Sequence, residues 1–288
     1  MSGSGAASGA PAGGGDPRAL LARHGVVPKK HFGQNFLLDR NLAARIAELA
    51  APPDSFVIEI GAGLGSLTVP LLERARHVTA IERDRDLVPA LASELASSVD
   101  SGRLRIVEAD AKTYDYESDL AAAAPPRAVA GNLPYQLTGP LLERLIGLAG
   151  SLERAAALVQ LEVADRLAAK PGSEAYGALS VFAQAAFEVT RPLLVRRGAF
   201  FPQPNVDSAL VVLVPHREPA ARETAAFRQL VKGAFSQRRK KLRNAWAAVL
   251  DPAELARAAA RAGIDLDRRG ETLSVAEFAR MTAEIDVP

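Results

Sequence analysis

The residue types best suited to chemistry begin at Glu59-Ile60-Gly61-Ala62-Gly63-Leu64-Gly65, where a short apolar run, Phe56–Ile60, meets a helical pattern. Glycines spaced this closely let a ligand approach the backbone, as a nucleotide site at the end of a first strand requires. A dinucleotide fingerprint G-x-G-x-x-G begun at Gly61 would need glycine at position 66, where Ser66 stands. That missing glycine counts against a nicotinamide dinucleotide, whose pyrophosphate and helix packing use the position. Glu82 directly follows the next apolar run, His77–Ile81, and is placed to accept hydrogen bonds from two ribose hydroxyls. Several nucleotide cofactors want that carboxylate, so Glu82 alone does not choose among them.

The pattern E-x-G-x-G-x-G, with its acid Glu59 ahead of Gly61 and Gly63, resembles class I S-adenosylmethionine-dependent methyltransferases. Their cofactor carries no pyrophosphate, so a wider glycine turn is physically sensible. Asp110, at the end of the run Leu104–Asp110, would accept from the cofactor's adenine amino group. The most specific feature is Asn132-Leu133-Pro134-Tyr135, closing the run Arg127–Asn132. This N-x-P-Y tetrapeptide resembles the catalytic motif of methyltransferases that act on exocyclic amines of nucleobases. Such an amine is a poor nucleophile because its lone pair is delocalised into the ring. Acceptors aimed at its two N–H groups, the Asn132 side-chain carbonyl and the Leu133 main-chain carbonyl, would draw it toward a tetrahedral, nucleophilic nitrogen. Pro134 limits the backbone freedom of that turn, and Tyr135 offers a face on which the base can stack. Removing a base from its stack costs a few kcal/mol, and each aromatic ring returns about 1–3 kcal/mol. A second ring is therefore expected. Phe200, opening the F-x-P-x-P run to Pro204, is the candidate; Phe201 beside it reads as core, and the sequence alone does not separate the two.

These motifs need a frame that brings strand ends together. Apolar runs at Phe56–Ile60, His77–Ile81, Leu104–Asp110, Arg127–Asn132, Arg154–Leu161 and Ser208–Pro215 alternate with helical patterns. Strands separated by 10–15-residue helices imply βαβ units and a parallel sheet, and right-handed crossovers favour a doubly wound, Rossmann-like α/β sheet. After Pro215 the strand signals stop, and residues 219–288 read as helices with boundaries at Asp251-Pro252 and Gly263. The expected organisation is a disordered tail at 1–17, too rich in Gly, Ala, Ser and Pro to bury a core, a catalytic, cofactor-binding domain at 18–216, and a small all-helical RNA-binding domain at 217–288.

Composition narrows the rest. The 288 residues include no cysteine, which removes disulfides, thiolate metal sites and cysteine nucleophiles. The four histidines are too scattered for a metal motif, so no metal is expected. No run of 18 apolar residues and no secretory pattern appears, pointing to a cytoplasmic protein without membrane association. Net charge is only +2, yet Arg228–Arg243 holds seven basic residues (Arg228, Lys232, Arg238, Arg239, Lys240, Lys241, Arg243) and no acid. Were 227–250 one helix, Arg228, Lys232, Arg239 and Arg243 would share a stripe, although Ser236 could cap a new helix and split it. Phosphate contacts from such a segment give affinity with strong salt dependence and little base specificity.

Pro28–Asp39 (PKKHFGQNFLLD), EIGAGLGSLT, Glu82, Asp110, NLPY and FFPQPNVDSA occur in an order and spacing that resembles the rRNA adenine dimethyltransferases, specifically the bacterial small-subunit (16S) rRNA dimethyladenosine transferase family. The likeness continues through FSQRRKKLRN (Phe235–Asn244) and RRGETLSVAEFARM (Arg268–Met281). It implies S-adenosyl-L-methionine as cofactor and dimethylation of two adjacent adenosines near the 3′ end of small-subunit rRNA during ribosome biogenesis. The expected partners are small-subunit rRNA and the immature small subunit, with no DNA, and a monomer is expected. Gln34, Asn35 and Leu37 would lie close to the cofactor, Gln34 and Asn35 offering polar groups to its methionine end. Resistance-type methylases of large-subunit rRNA share most of these motifs and stand as the alternative, as does an assembly factor acting mainly by binding. A dehydrogenase is disfavoured by Ser66 and NLPY.

Overall fold

A computed structural model describes residues 15–29, 32–237 and 239–285. Residues 1–14, which hold most of the expected tail, lie outside these, as do Lys30, His31 and Arg238. The rest of the tail departs from expectation, because Pro17 opens a helix, Pro17–His24. Asp16 caps it by accepting from the Arg18 N–H, proline takes the first position, and Gly25 closes it in the left-handed region.

Among the described residues the strands are β1 (Phe36–Leu37), β2 (Phe56–Ile60), β3 (His77–Glu82), β4 (Leu104–Glu108), β5 (Arg127–Asn132), β6 (Arg154–Gln160), β7 (Phe187–Val195), β8 (Phe200–Phe201) and β9 (Ser208–Pro215). Seven form one sheet in the order β4-β3-β2-β5-β6-β9-β7, and β1 pairs antiparallel with β8 in a two-stranded ribbon. From β4 to β6 all pairings are parallel. The chain steps outward from β2 through β3 to β4, then returns to place β5 on the other side of β2. The switch point therefore falls between β2 and β5, the position where open α/β sheets bind ligands beyond their carboxyl ends. Register decides what meets there: Ile60 lies opposite Ile81 on one side and Gly131 on the other. Val57, Ile58, Val78, Ala128 and Ala155 have no exposed surface. Continuous apolar strands of this kind are covered on both faces.

The chain divides into two compact units, each with its own core. The first runs to Gln160 and resumes over Pro192–Val212; the second holds Leu161–Arg191 and everything from Leu213 onward. The division differs from the expected single cut after residue 216, because the helices Leu161–Leu167 and Ala178–Ala186 belong with the C-terminal helices. Tyr176 and Val181 share a cluster with Phe227, Leu230, Trp246, Phe278 and Met281. Strand β7 was not expected either. Its sequence FEVTRPLLV is mostly exposed at the sheet edge and carries Pro192, so it lacks the apolar signature of the others.

After residue 216 the described residues form helices Ala225–Ser236, Leu242–Ala245, Pro252–Ala262 and Val275–Ala283. Asp251-Pro252 and Gly263 bound the third, with Asp251 accepting from the Ala253 and Glu254 N–H groups. Ser274 and Glu277 form a capping box at the start of the last.

Candidate active site at the carboxyl edge of the sheet

Gly61, Gly63 and Gly65 all adopt positive φ, a backbone that L side chains rarely take. The turn hangs on the neighbouring strand, with the Gly61 and Ala62 N–H groups donating to the Ile81 carbonyl. A Cβ on Gly63 would sit 3.0 Å from the Phe36 ring, so glycine here also lets the N-terminal segment pack against the turn. At Gly131 the demand is different. A Cβ would lie 2.5 Å from the Ile60 carbonyl oxygen, so β5 can approach β2 only with glycine in the residue before Asn132.

One cleft opens over these strand ends. Gln34, Asn35, Leu37, Glu59, Gly61, Gly63, Glu82, Asp110 and Asn132 all line it, together with Pro134, Gln136 and Leu137. Leu133, Tyr135 and Phe200 are not among its lining residues. The Leu133 side chain is buried and its N–H donates to the Leu158 carbonyl, which pins the turn to β6. Tyr135 is half-buried, its ring held by a 2.7 Å hydrogen bond between its hydroxyl and Ser208 Oγ.

The expected sandwich of Tyr135 and Phe200 is not present. Phe200 is 2% exposed and belongs to the main core, so neither face of its ring is open to a base. Pairing explains why the two phenylalanines differ. Leu37 lies opposite Phe200 and Phe36 opposite Phe201, and successive strand residues face opposite sides. Phe201 joins the smaller cluster of Leu20, Phe36 and Leu64, with the Arg18 guanidinium 5.1 Å from its ring centre.

The electrostatics of the cleft are acidic. Burial pushes Glu59 up to about 8, and its Oε2 has no hydrogen-bond partner. Glu82 accepts 2.8 Å hydrogen bonds from the Gly63 and Asp84 N–H groups. Burial raises its carboxyl above the usual range, partly offset by those backbone donors. Asp110 accepts from the Lys112 N–H, and Arg83 Nη1 lies 3.4 Å from its Oδ2. Asn132 donates from Nδ2 to the Asn35 carbonyl at 2.7 Å. A carbonyl only accepts, so this contact fixes the amide with Oδ1 on its other side. Bare glycines, a buried unpartnered carboxylate oxygen and two more carboxylates suit a ligand with hydroxyl and amino donors and positive charge. A diphosphate would meet acids instead. The donor set therefore fits S-adenosylmethionine and opposes a dinucleotide.

Sequence reasoning missed what surrounds Asp84. Gln34, expected to offer its amide to the cofactor, accepts at Oε1 from the Lys29 N–H and donates from Nε2 to Asp84, each at 2.7 Å. Lys29 Nζ reaches Asp84 at 2.5 Å and Asp86 at 2.6 Å. The alternating run Arg83-Asp84-Arg85-Asp86 directly after Glu82 was the available signal. It does not say which segment those acids hold.

The basic segment is not one stripe. The helix ends at Ser236, Gln237 leaves helical geometry, and Arg239 and Lys240 are exposed before the short helix at Leu242. Lys241 and Arg243 share Asp267, at 3.0 and 2.5 Å. Among the described residues no group of three or more His, Asp or Glu side chains could hold a metal, and no helix is long and apolar enough to cross a membrane.

Residues 27–286 match the family described as Ribosomal RNA adenine dimethylase. The chain is 47% identical over 279 residues to the ribosomal RNA small subunit methyltransferase A of Anaeromyxobacter sp. (strain K), covering 92% of this chain and 96% of that protein. It is 44% identical to the protein of the same name from Thermobifida fusca, covering 92% and 93%. Among solved structures, the 23S rRNA methyltransferase ErmE is similar with a TM-score of 0.66 and 30% identity, covering 88% of this chain and all of that one. A dimethyladenosine transferase from Plasmodium falciparum shares the fold with a TM-score of 0.70 and 24% identity, over 85% and 95% of the two chains.

Proposed function

We propose, from the premise that this chain belongs to the ribosomal RNA adenine dimethylase family, that its cleft dimethylates the exocyclic amines of two adjacent adenosines near the 3′ end of small-subunit rRNA. The enzyme is an rRNA adenine methyltransferase and its cofactor is S-adenosyl-L-methionine. The observation that carries the finer reading is the orientation of Asn132: its Nδ2 is spent on the Asn35 carbonyl, so Oδ1 is the atom left for an incoming amine.

Glu82 and Asp110 would hold the ribose and adenine ends of the cofactor, and the turn around Gly61 and Gly63 would meet it without side chains. When bound, the cofactor supplies an electrophilic methyl on a sulfonium. The Asn132 Oδ1 and the Leu133 carbonyl accept from the two N–H groups of the target amine, and Pro134 keeps their relation fixed. Tyr135, held through Ser208, stacks on the extruded base. No strong general base is required, since the methylated, positively charged nitrogen loses its proton readily to water. Orientation then carries the rate, a contribution of about 7–11 kcal/mol. Arg239 and Lys240, with Arg238, Lys241 and Arg243, bind RNA phosphates.

We further infer that the protein acts as a monomer, in the cytoplasm, on an immature small subunit. The large-subunit reading ranks behind, since the 23S enzyme shares 30% identity while small-subunit relatives share 43–47%. Incubation with immature small subunits and labelled cofactor, followed by mass mapping of the RNA, tests the assignment. The expected products are two neighbouring N6,N6-dimethyladenosines near the 3′ end; methylation of large-subunit RNA instead would overturn it.

A further inference from the structure

Asn132 can work only if its amide faces the right way. Flipped, it would aim N–H donors at an amine that already carries two. What holds it is the main-chain carbonyl of Asn35, 2.7 Å from Nδ2. Asn35 lies in a loop just before β1, and a loop positions a carbonyl well only if it is itself anchored.

Asp84 supplies that anchor. It is 1% exposed, and its two carboxylate oxygens are divided between partners. Oδ1 receives Lys29 Nζ and the Asp86 N–H, while Oδ2 receives Gln34 Nε2. Gln34 Oε1 accepts from the Lys29 N–H, closing a ring of contacts between residues 29 and 34. The other side of Asp84 is tied to the cofactor cleft, since its N–H donates to Glu82. Burial works to raise the Asp84 carboxyl, but the Lys29 and Gln34 hydrogen bonds outweigh it and hold the group below the usual carboxylate range, so the anchor stays charged. Charge-assisted hydrogen bonds of this length are among the strong ones.

We propose that Lys29, Gln34 and Asp84 form a clamp of positioning residues whose task is to fix the Asn35 carbonyl and, through it, the Asn132 amide. The proposal rests on Asn132 being the amine acceptor. On this view Gln34 borders the cleft as a strut, and the loop that carries Gln34 and Asn35 becomes part of the catalytic frame. A misplacement of about 1 Å far from the chemistry can cost on the order of 10²-fold in rate, which sets the scale of what the clamp protects.

Three variants test it: Gln34→Glu, which sets a carboxylate against Asp84; Lys29→Met, which removes the cation; and Asp84→Ala. Lys29 is partly exposed, so its variant keeps the test alive should Asp84→Ala fail to fold. Three readouts apply: single-turnover methyl transfer at saturating cofactor, affinity for S-adenosylhomocysteine by calorimetry, and the side-chain 1H–15N amide signals of Asn132. The expected result is a transfer rate lowered by about 10–10²-fold, a much smaller change in cofactor affinity, and Asn132 amide protons shifted toward solvent values. Adding Gln34→Glu to Asn132→Ala should cost nothing further. Unmoved Asn132 signals, or rate effects that add in the double variant, would overturn the clamp. A fully active Asn132→Ala would instead overturn the amine-acceptor reading, and the two failures are thus distinguishable.

Discussion

The cleft and the basic segment are both polar, and they are built in opposite ways. In the cleft the backbone holds key polar groups: Glu82 by two N–H donors, Asn132 by a carbonyl, the glycine turn by Ile81. In the segment at 239–243, long exposed side chains carry the charge, and Lys241 and Arg243 share one acid, Asp267. Orientation governs the first and net charge the second. Methyl transfer to a weak nucleophile needs the first kind of site, and gripping a polyphosphate needs only the second.

That contrast can be broken by substitution. Asn132→Ala should lower methyl transfer by about 10²–10³-fold, the usual loss when one preorganised hydrogen-bonding group is taken from a transition state. S-adenosylhomocysteine binding, measured in parallel, should persist. Gly131→Ala comes next. Its Cβ has no room against Ile60, so overpacking should cost about 1–3 kcal/mol in a denaturant titration, and transfer should fall because Asn132 moves with β5. Removing charge at Arg239 and Lys240 should act on the other kind of site. RNA affinity should weaken across sequences, and the salt slope should fall by about 1 for each phosphate no longer neutralised, with the transfer step unaffected once RNA is saturating.

The smallest effect sharpens the comparison through pH. Glu59 is raised to about 8 by burial, so its contribution to stability is present below its unfolded value of 4.5 and is lost as pH rises through about 8. A cationic ligand favours its ionised form. S-adenosylmethionine should therefore release more protons on binding near pH 7 than S-adenosylhomocysteine, read by calorimetry in buffers of different ionisation enthalpy. In the helical unit Glu277 is held down to about 2, chiefly by the Arg268 hydrogen bond. Its contribution is present above 4.5 and lost as pH falls toward 2, seen as acid loss of helix signal from that unit.

Local features were legible in the sequence. The alternation of apolar runs placed the cleft strands, the glycine turn announced itself, and Asp251-Pro252 and Gly263 marked a helix. What stayed hidden depended on pairing across distance. Nothing near Gln34 says that Asp84, 50 residues away, will take its amide. Whether Phe200 or Phe201 faces the core is decided by the register of β1 with β8, which two adjacent phenylalanines cannot encode. The basic stripe failed because helical spacing assumes an unbroken helix, and Gln237 breaks it.

The most direct test is a crystal structure with S-adenosylhomocysteine and a short RNA carrying the target adenosines. The sulfur should face the Asn132–Pro134 turn, with the adenine amine between them, within hydrogen-bonding reach of Asn132 Oδ1 and the Leu133 carbonyl. A sulfur turned away from that turn, or protein filling the place of the base, would contradict it.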